Sequence, residues 1–243
     1  MKILVIGDIH GKEIWKQAVD KFSSDVIVFI GDYVNGKRWI GDSHATLNLK
    51  ALLDFRKQND DRVKLLIGNH DLWFLNQPSL LRRAFFPRMN KVYKDNEHLF
   101  DIAYGFKQNL FSHAGVSEQW YHKHRQIIEE IGRDHLAEKL NQLFQTSNRG
   151  ILFERGKARD GSDPFGGPVY ADKSETENSF LKGYAQFVGH TKVPKPLCYN
   201  SDSGSITFID CLNSQNAFVM IDDAEISVAT LDGKLSPMAA HSF

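Results

Sequence analysis

Three short runs, two of them continuously apolar and the third mostly so, each halted by a glycine and a ligand-type side chain, constrain this chain more than any other feature. Ile3-Leu4-Val5-Ile6 stops at Gly7-Asp8, Val26-Ile27-Val28-Phe29-Ile30 at Gly31-Asp32, and Val63 to Ile67 at Gly68-Asn69. β-Branched, apolar runs of this length without alternation predict central strands covered on both faces. Between them apolar residues recur at helical spacing. Ile14, Trp15, Ala18, Val19 and Phe22 fill the first interval, and Ala45, Leu49, Leu52 and Leu53 follow the cap candidates Asp42 and Ser43 in the second. Strand, polar turn and helix in repetition predict an α/β fold.

Beyond Asp71 the pattern is coarser. The spacing predicts a helix from Leu72 to Phe86, broken at Pro78, then strands over Leu99 to Tyr104 and Leu110 to Ser112 joined by a turn at Gly105 to Asn109. Val116 to Thr146 reads as one long or two shorter helices. Short strands are expected at Ala185 to Val188, Ser205 to Ile209, Ala217 to Ile221 and Glu225 to Thr230. Asp160 to Pro168, rich in glycine and proline, is a loop, either a connector or a lid facing a substrate.

A chain of 243 residues with 42% hydrophobic content can bury a real core, and a single domain over 1–243 is expected. Lys+Arg and Asp+Glu balance at 30 each, which disfavours a general polyanion binder. Cys198 and Cys211 are too few for a disulfide framework and lack metal-ligand spacing, so both are read as small buried residues in a reducing compartment. The N-terminal apolar run is too short for a signal-peptide core. No stretch approaches the roughly 18 uninterrupted apolar residues of a membrane span, and a cytoplasmic protein without membrane partners is expected.

The polar residues at the strand ends carry the chemistry. Asp8 with His10, Asp32, and Asn69 with His70 follow the first three strands, and apolar segments end again at Ser112-His113-Ala114-Gly115 and Gly189-His190-Thr191. Ligand sites of open α/β sheets form at the C-terminal ends of strands, so these five turns can share one pocket. Singly, each residue is an ordinary turn former or histidine. Together, in order, they form a mixed Asp, His and Asn donor set suited to divalent manganese, iron or zinc. The donors are too many for one ion, whereas two ions about 3.5 to 4 Å apart, bridged by a carboxylate, form the clamp used for displacement at phosphorus. His44, His98, His122, His124, His135 and His241 lack such a setting and are read as surface or core.

Gly7-Asp8-Ile9-His10-Gly11, Gly31-Asp32-Tyr33-Val34-Asn35, Gly68-Asn69-His70-Asp71, His113-Ala114-Gly115 and Gly189-His190-Thr191 resemble the signature blocks of calcineurin-like metallophosphoesterases. The likeness runs from Lys2 to about Asp210. It is greatest to the branch holding phosphoprotein phosphatases, the phage lambda phosphatase and diadenosine tetraphosphatases. It implies a four-layer α/β/β/α sandwich and two divalent ions, manganese first. Asp8, His10 and Asp32 would hold the first ion. Asp32, as the bridge, would hold the second with Asn69, His113 and His190. A hydroxide shared by the ions would be the nucleophile, and His70 would protonate the leaving oxygen.

Three departures from the family pattern bear on specificity. Asn35 stands where phosphoprotein phosphatases carry the Asp that charges the acid histidine, so it can orient His70 but adds no charge. Gly36 and Ile67 stand in place of two phosphate-clamping arginines, for which Lys37, Arg38, Arg82, Arg83 or Arg88 could substitute, Arg38 being the substrate-binding candidate. Lys192 replaces the second His that other branches carry, leaving the first metal with three protein ligands.

The expected function is a metal-dependent phosphoesterase acting on a small phosphate ester or nucleotide. The alternatives are a phosphodiesterase or nuclease using the basic cluster Arg82, Arg83, Arg88, Lys91 and Lys94 with Phe85, Phe86 and Tyr93, or a binding scaffold without turnover. Partnership with nucleic acid is disfavoured, and nothing in the sequence sets the oligomeric state.

Overall fold

The computed structural model describes residues 1–34, 42–75 and 86–242. The candidates Asn35, Gly36, Lys37, Arg38, Arg82, Arg83 and Phe85, and the break at Pro78, lie outside these residues.

The first half alternates as expected: β1 (Lys2–Ile6), α1 (Ile14–Lys21), β2 (Val26–Phe29), α2 (Asp42–Gln58) and β3 (Val63–Leu66). α3 (Leu72–Leu75) is followed by α4 (Pro87–Asp95), which opens on a proline whose missing N–H costs a first-turn position nothing. Then come β4 (Phe100–Asp101), β5 (Ala103–Phe106) and β6 (Asn109–Ser112). The stretch 116–146 resolves into two helices, α5 (Glu118–Glu129) and α6 (Leu136–Phe144), with Ser117 capping the first by accepting from the Trp120 amide. After α7 (Lys173–Thr176) the chain is all strand: β7 (Ala185–Lys192), β8 (Leu197–Ser201), β9 (Gly204–Asp210), β10 (Ala217–Asp222), β11 (Glu225–Thr230), β12 (Leu235–Pro237) and β13 (Ala240–Ser242).

Among the described residues these strands form two sheets. One has seven strands in the order β12-β11-β10-β1-β2-β3-β4, parallel from β1 to β4, and the other six in the order β13-β8-β9-β7-β6-β5. Side chains alternate across β1. Ile3 and Val5 enter an apolar layer with Val28, Phe111, Phe187 and Ile209 between the sheets, while Leu4 and Ile6 join the larger core on the outer side. There Trp15 of α1 packs edge-on against Phe29. On the far side α6 lies against β5. The result is the expected four-layer α/β/β/α sandwich, and both middle faces are apolar because each sheet is covered twice.

The run from Leu99 to Tyr104, expected as one strand, is divided between the sheets. Phe100 and Asp101 pair with β3, and Ala103 onward pairs with β6. At the crossing Asn141 of α6 stands in for the missing strand partner: its Oδ1 accepts from the amides of Ile102 (2.9 Å) and Ala103 (3.0 Å), and its Nδ2 donates to the Ala103 carbonyl.

Candidate active site

The turns that follow β1, β2, β3, β6 and the Val188 end of β7's regular pairing meet at one edge of the sandwich. Three of their polar residues adopt left-handed backbone conformations: His10 (φ 44°), Asp32 (φ 54°) and His190 (φ 62°). Such geometry costs a non-glycine residue about 1 to 3 kcal/mol and persists only where neighbours over-determine it. Here they do. The His10 amide donates to the Asp32 carbonyl (2.9 Å) and the Gly11 amide to that of Tyr33 (2.8 Å). The His190 amide donates to the Asp8 carboxylate at 3.1 to 3.2 Å. Gly189 is required for that approach, since a Cβ there would lie 2.0 Å from Asp8 Oδ1.

Four of the expected donors converge tightly. His113 is fully buried and its Nδ1 lies 2.9 Å from the Ile30 carbonyl, which only accepts, so Nδ1 carries the proton. Burial pushes the His113 pKa down to about 3, leaving a neutral ring whose Nε2 presents a lone pair. That lone pair faces Asn69 Oδ1 at 3.1 Å, His190 Nδ1 at 3.2 Å and Asp32 Oδ1 at 3.6 Å. Two acceptors, His113 Nε2 and Asn69 Oδ1, thus face one another with no proton between them, an arrangement that a cation relieves.

Asp8, His10 and Asp32 continue the cluster. Both carboxyls are buried, and both are held well above the usual carboxylate range, first by burial and then by neighbouring carboxylates. Burial lowers His10 to about 4 and holds His190 well below the ordinary imidazole value. Neutral imidazoles beside crowded carboxylates are the donor set a divalent cation stabilises, and the chain fits the metal centre its sequence implies. Among the described residues two groups of side chains bring donor atoms within 4.8 Å of one another: Asp8, Asp32 and His113, and Asp8, His10 and Asp210. His70 stands beside them, its amide on Asp32 Oδ1 (2.9 Å), its Nε2 3.7 Å from Asp32 Oδ2 and its ring 5.0 Å from Trp73.

The site opens into a cavity of about 1380 Å³. Its cationic lining is Lys12, Arg155, Arg159 and Lys192. Arg88, expected as one substitute for the lost phosphate clamps, is exposed on α4 and lines a separate groove with Lys50 and Lys57. Arg159 is held toward the cavity by Asp172 (Nε to Oδ2, 2.6 Å) and Thr191 Oγ1 (2.8 Å). Arg155, Ala158, Arg159 and Asp160 contribute to the cavity wall, Asp160 being the contribution of the expected loop 160–168. Phe165 packs on the core, and Gly167 donates to the Glu154 carbonyl.

Two of the three aromatic residues of the alternative nucleic-acid cluster, Phe86 and Tyr93, are engaged in the interior. Tyr93 is fully buried with its hydroxyl on Asp71, and Phe86 packs on the core beside Phe74, so neither offers a face to a base. Sequence reasoning quoted Asp71 within the Gly68-Asn69-His70-Asp71 block without giving it a role, and passed over Asp210, Arg155 and Arg159. A lone carboxylate at a strand end carries no signal distinguishing it from a turn former, and an arginine on a loop none distinguishing it from solvated charge.

Two apolar-cored sheets carry metal-type donors on their common edge, and known structures share the fold. A cold-active protein-tyrosine phosphatase from a psychrophilic Shewanella species superposes with a TM-score of 0.64 at 17% identity, over 98% of this chain and 80% of that one. A protein serine/threonine phosphatase from Saccharomyces cerevisiae gives 0.53 at 13% identity, over 99% and 81%. No protein of curated function matches the sequence. The calcineurin-like phosphoesterase family matches residues 1–194, and the chain belongs to that family. Among the described residues no helix is long and apolar enough to cross a membrane.

Proposed function

We propose that this chain hydrolyses a phosphate ester carried by a small anionic molecule, using two divalent metal ions held by Asp8, His10 and Asp32 on one side and Asp32, Asn69, His113 and His190 on the other. The observation that carries this reading is the opposed lone pairs of His113 Nε2 and Asn69 Oδ1, with Asp32 Oδ1 3.6 Å from the same His113 nitrogen and the buried Asp8 carboxylate shared by both groups of donors. Bound there, the ions supply Lewis acidity toward the phosphoryl oxygens and a water of lowered pKa, manganese suiting the mixed oxygen and nitrogen set.

The chain's own residues do the rest. Asp32 serves both positions, its carboxylate oriented by the His70 amide. His70 borders the cavity and takes the role of general acid, its imidazolium delivering the proton to the leaving oxygen. Arg155, Arg159, Lys12 and Lys192 give the cavity the positive potential that binds phosphate. β10 pairs antiparallel with β1, which supports reading 1–243 as one domain although the family match ends at residue 194.

A hydrolysis panel of monoester, diester, nucleotide and diadenosine substrates with manganese tests this reading. Turnover of at least one small substrate is expected. Cleavage of nucleic acid alone would favour the nuclease reading, and metal binding without turnover the scaffold.

A further inference from the structure

We propose that Asp210 is a fourth protein ligand of the first metal position, supplied from the end of β9 by a residue outside all five sequence blocks. The inference rests on the two-metal reading above and deepens it.

Asp210 is the last residue of β9, in register with Lys192 on β7, and its carbonyl accepts from the Val193 amide at 3.0 Å. That register delivers it to the Asp8 turn. Gly7 permits the approach, because a Cβ there would sit 2.4 Å from the Ile209 carbonyl oxygen and 3.5 Å from Asp210 Cα. The carboxylate then lies with Asp8 and His10 so that all three donor atoms fall within 4.8 Å of one another.

A second observation points to a ligand. Asp210 is only 2% exposed, yet its Oδ1 has no hydrogen-bond partner. An orphaned buried acceptor costs about 1 to 3 kcal/mol, so a side chain kept there calls for a partner the chain does not supply. Lys12 and Lys192 are near enough for their charges to act on Asp210, but neither donates a hydrogen bond to Oδ1, and the Lys12 ammonium donates to the Leu212 carbonyl at 2.6 Å.

The chemistry is consistent. With Lys192 at the place of a second histidine, the first position has Asp8, His10 and the shared Asp32. Asp210 makes this three carboxylates and one imidazole, an oxygen-rich set that favours hard ions such as manganese over thiophilic ones. A third negative charge also offsets more of the pair's positive charge in a buried site.

The test is calorimetric titration of manganese into the chelator-stripped full chain, with Asp210→Asn, Asp210→Ala and Lys192→Met, each also melted without metal. The wild type should bind two ions. Both Asp210 variants should weaken one site by roughly 10- to 100-fold, the scale of losing a metal-orienting group, and leave the other within about 2-fold. Metal-free Asp210→Asn should melt no lower than the wild type, and Lys192→Met should keep both affinities. If the Asp210 variants bind two ions with wild-type affinity, or Lys192→Met reproduces their loss, Asp210 is a counter-charge for Lys192 and the proposal falls. A wild type that binds no manganese would instead overturn the two-metal reading itself.

Discussion

The Asp71 carboxylate accepts the backbone amide of Asp32 at 2.7 Å, and this bond holds the central carboxylate of the site in its left-handed turn. Asp71 is fully buried and also accepts from the amides of Tyr33 and Gly68 and from the Tyr93 hydroxyl. Asp71→Ala would orphan four buried donors at about 1 to 3 kcal/mol each, so a loss of at least ~3 kcal/mol is expected in urea unfolding. Tyr93→Phe removes one of the four bonds and should cost about 1.5 to 3 kcal/mol, as for a hydrogen bond to a charged group, while leaving the metal donors in place. A negligible loss in Asp71→Ala would mean the Asp32 turn is held by other contacts.

On the proposed assignment Asp32 serves both metal positions and His10 only one. Asp32→Ala should abolish both manganese sites and cut turnover by roughly a thousandfold or more, equivalent to about 4 kcal/mol of transition-state stabilisation. His10→Ala should weaken one site and fall short of that loss. Equal, mild losses in metal content and rate would return both residues to turn-forming roles.

Gly189→Ala adds only a methyl group, but that methyl would sit 2.0 Å from Asp8 Oδ1 and 3.3 Å from Ile30 Cγ2. Overpacking of this kind costs about 1 to 3 kcal/mol, and here it must also displace a metal-site carboxylate. Reduced manganese affinity alongside reduced stability is expected, measured by titration and melting of the same sample. Unchanged affinity would show that Asp8 tolerates the shift.

Burial pushes the Cys211 thiol up to about 12 and raises that of Cys198. At pH 8 both are protonated in the native state, and the thiolate that attacks an alkylating agent is scarce. Iodoacetamide at pH 8 should therefore modify neither cysteine in the folded chain and both in urea. Prompt labelling of native protein would show an opening at the β9 end of the six-stranded sheet.

What the sequence disclosed follows from the physics of each element. β1, β2 and β3 are covered on both faces, so their runs are apolar apart from the half-buried Lys64 and end visibly at Asp8, Asp32 and Asn69. β12 consists of Leu235, Ser236 and Pro237, all exposed, and an edge strand with no face to bury leaves no periodic trace. β8 is similarly masked by the alternation of Cys198, Tyr199 and Asn200 after a proline-rich turn. The division of residues 99–104 between two sheets depends on Asn141, some 40 residues away, and no local pattern encodes it. The roles of Asp71 and Asp210 were missed for the same reason: their importance lies in what folding brings to them.

The most direct test of the central claim is to strip the protein of metal with chelator and follow aryl phosphate hydrolysis as manganese is restored. No turnover is expected without metal, with activity rising and saturating as the second equivalent binds. Undiminished turnover after rigorous metal removal would contradict the two-metal account.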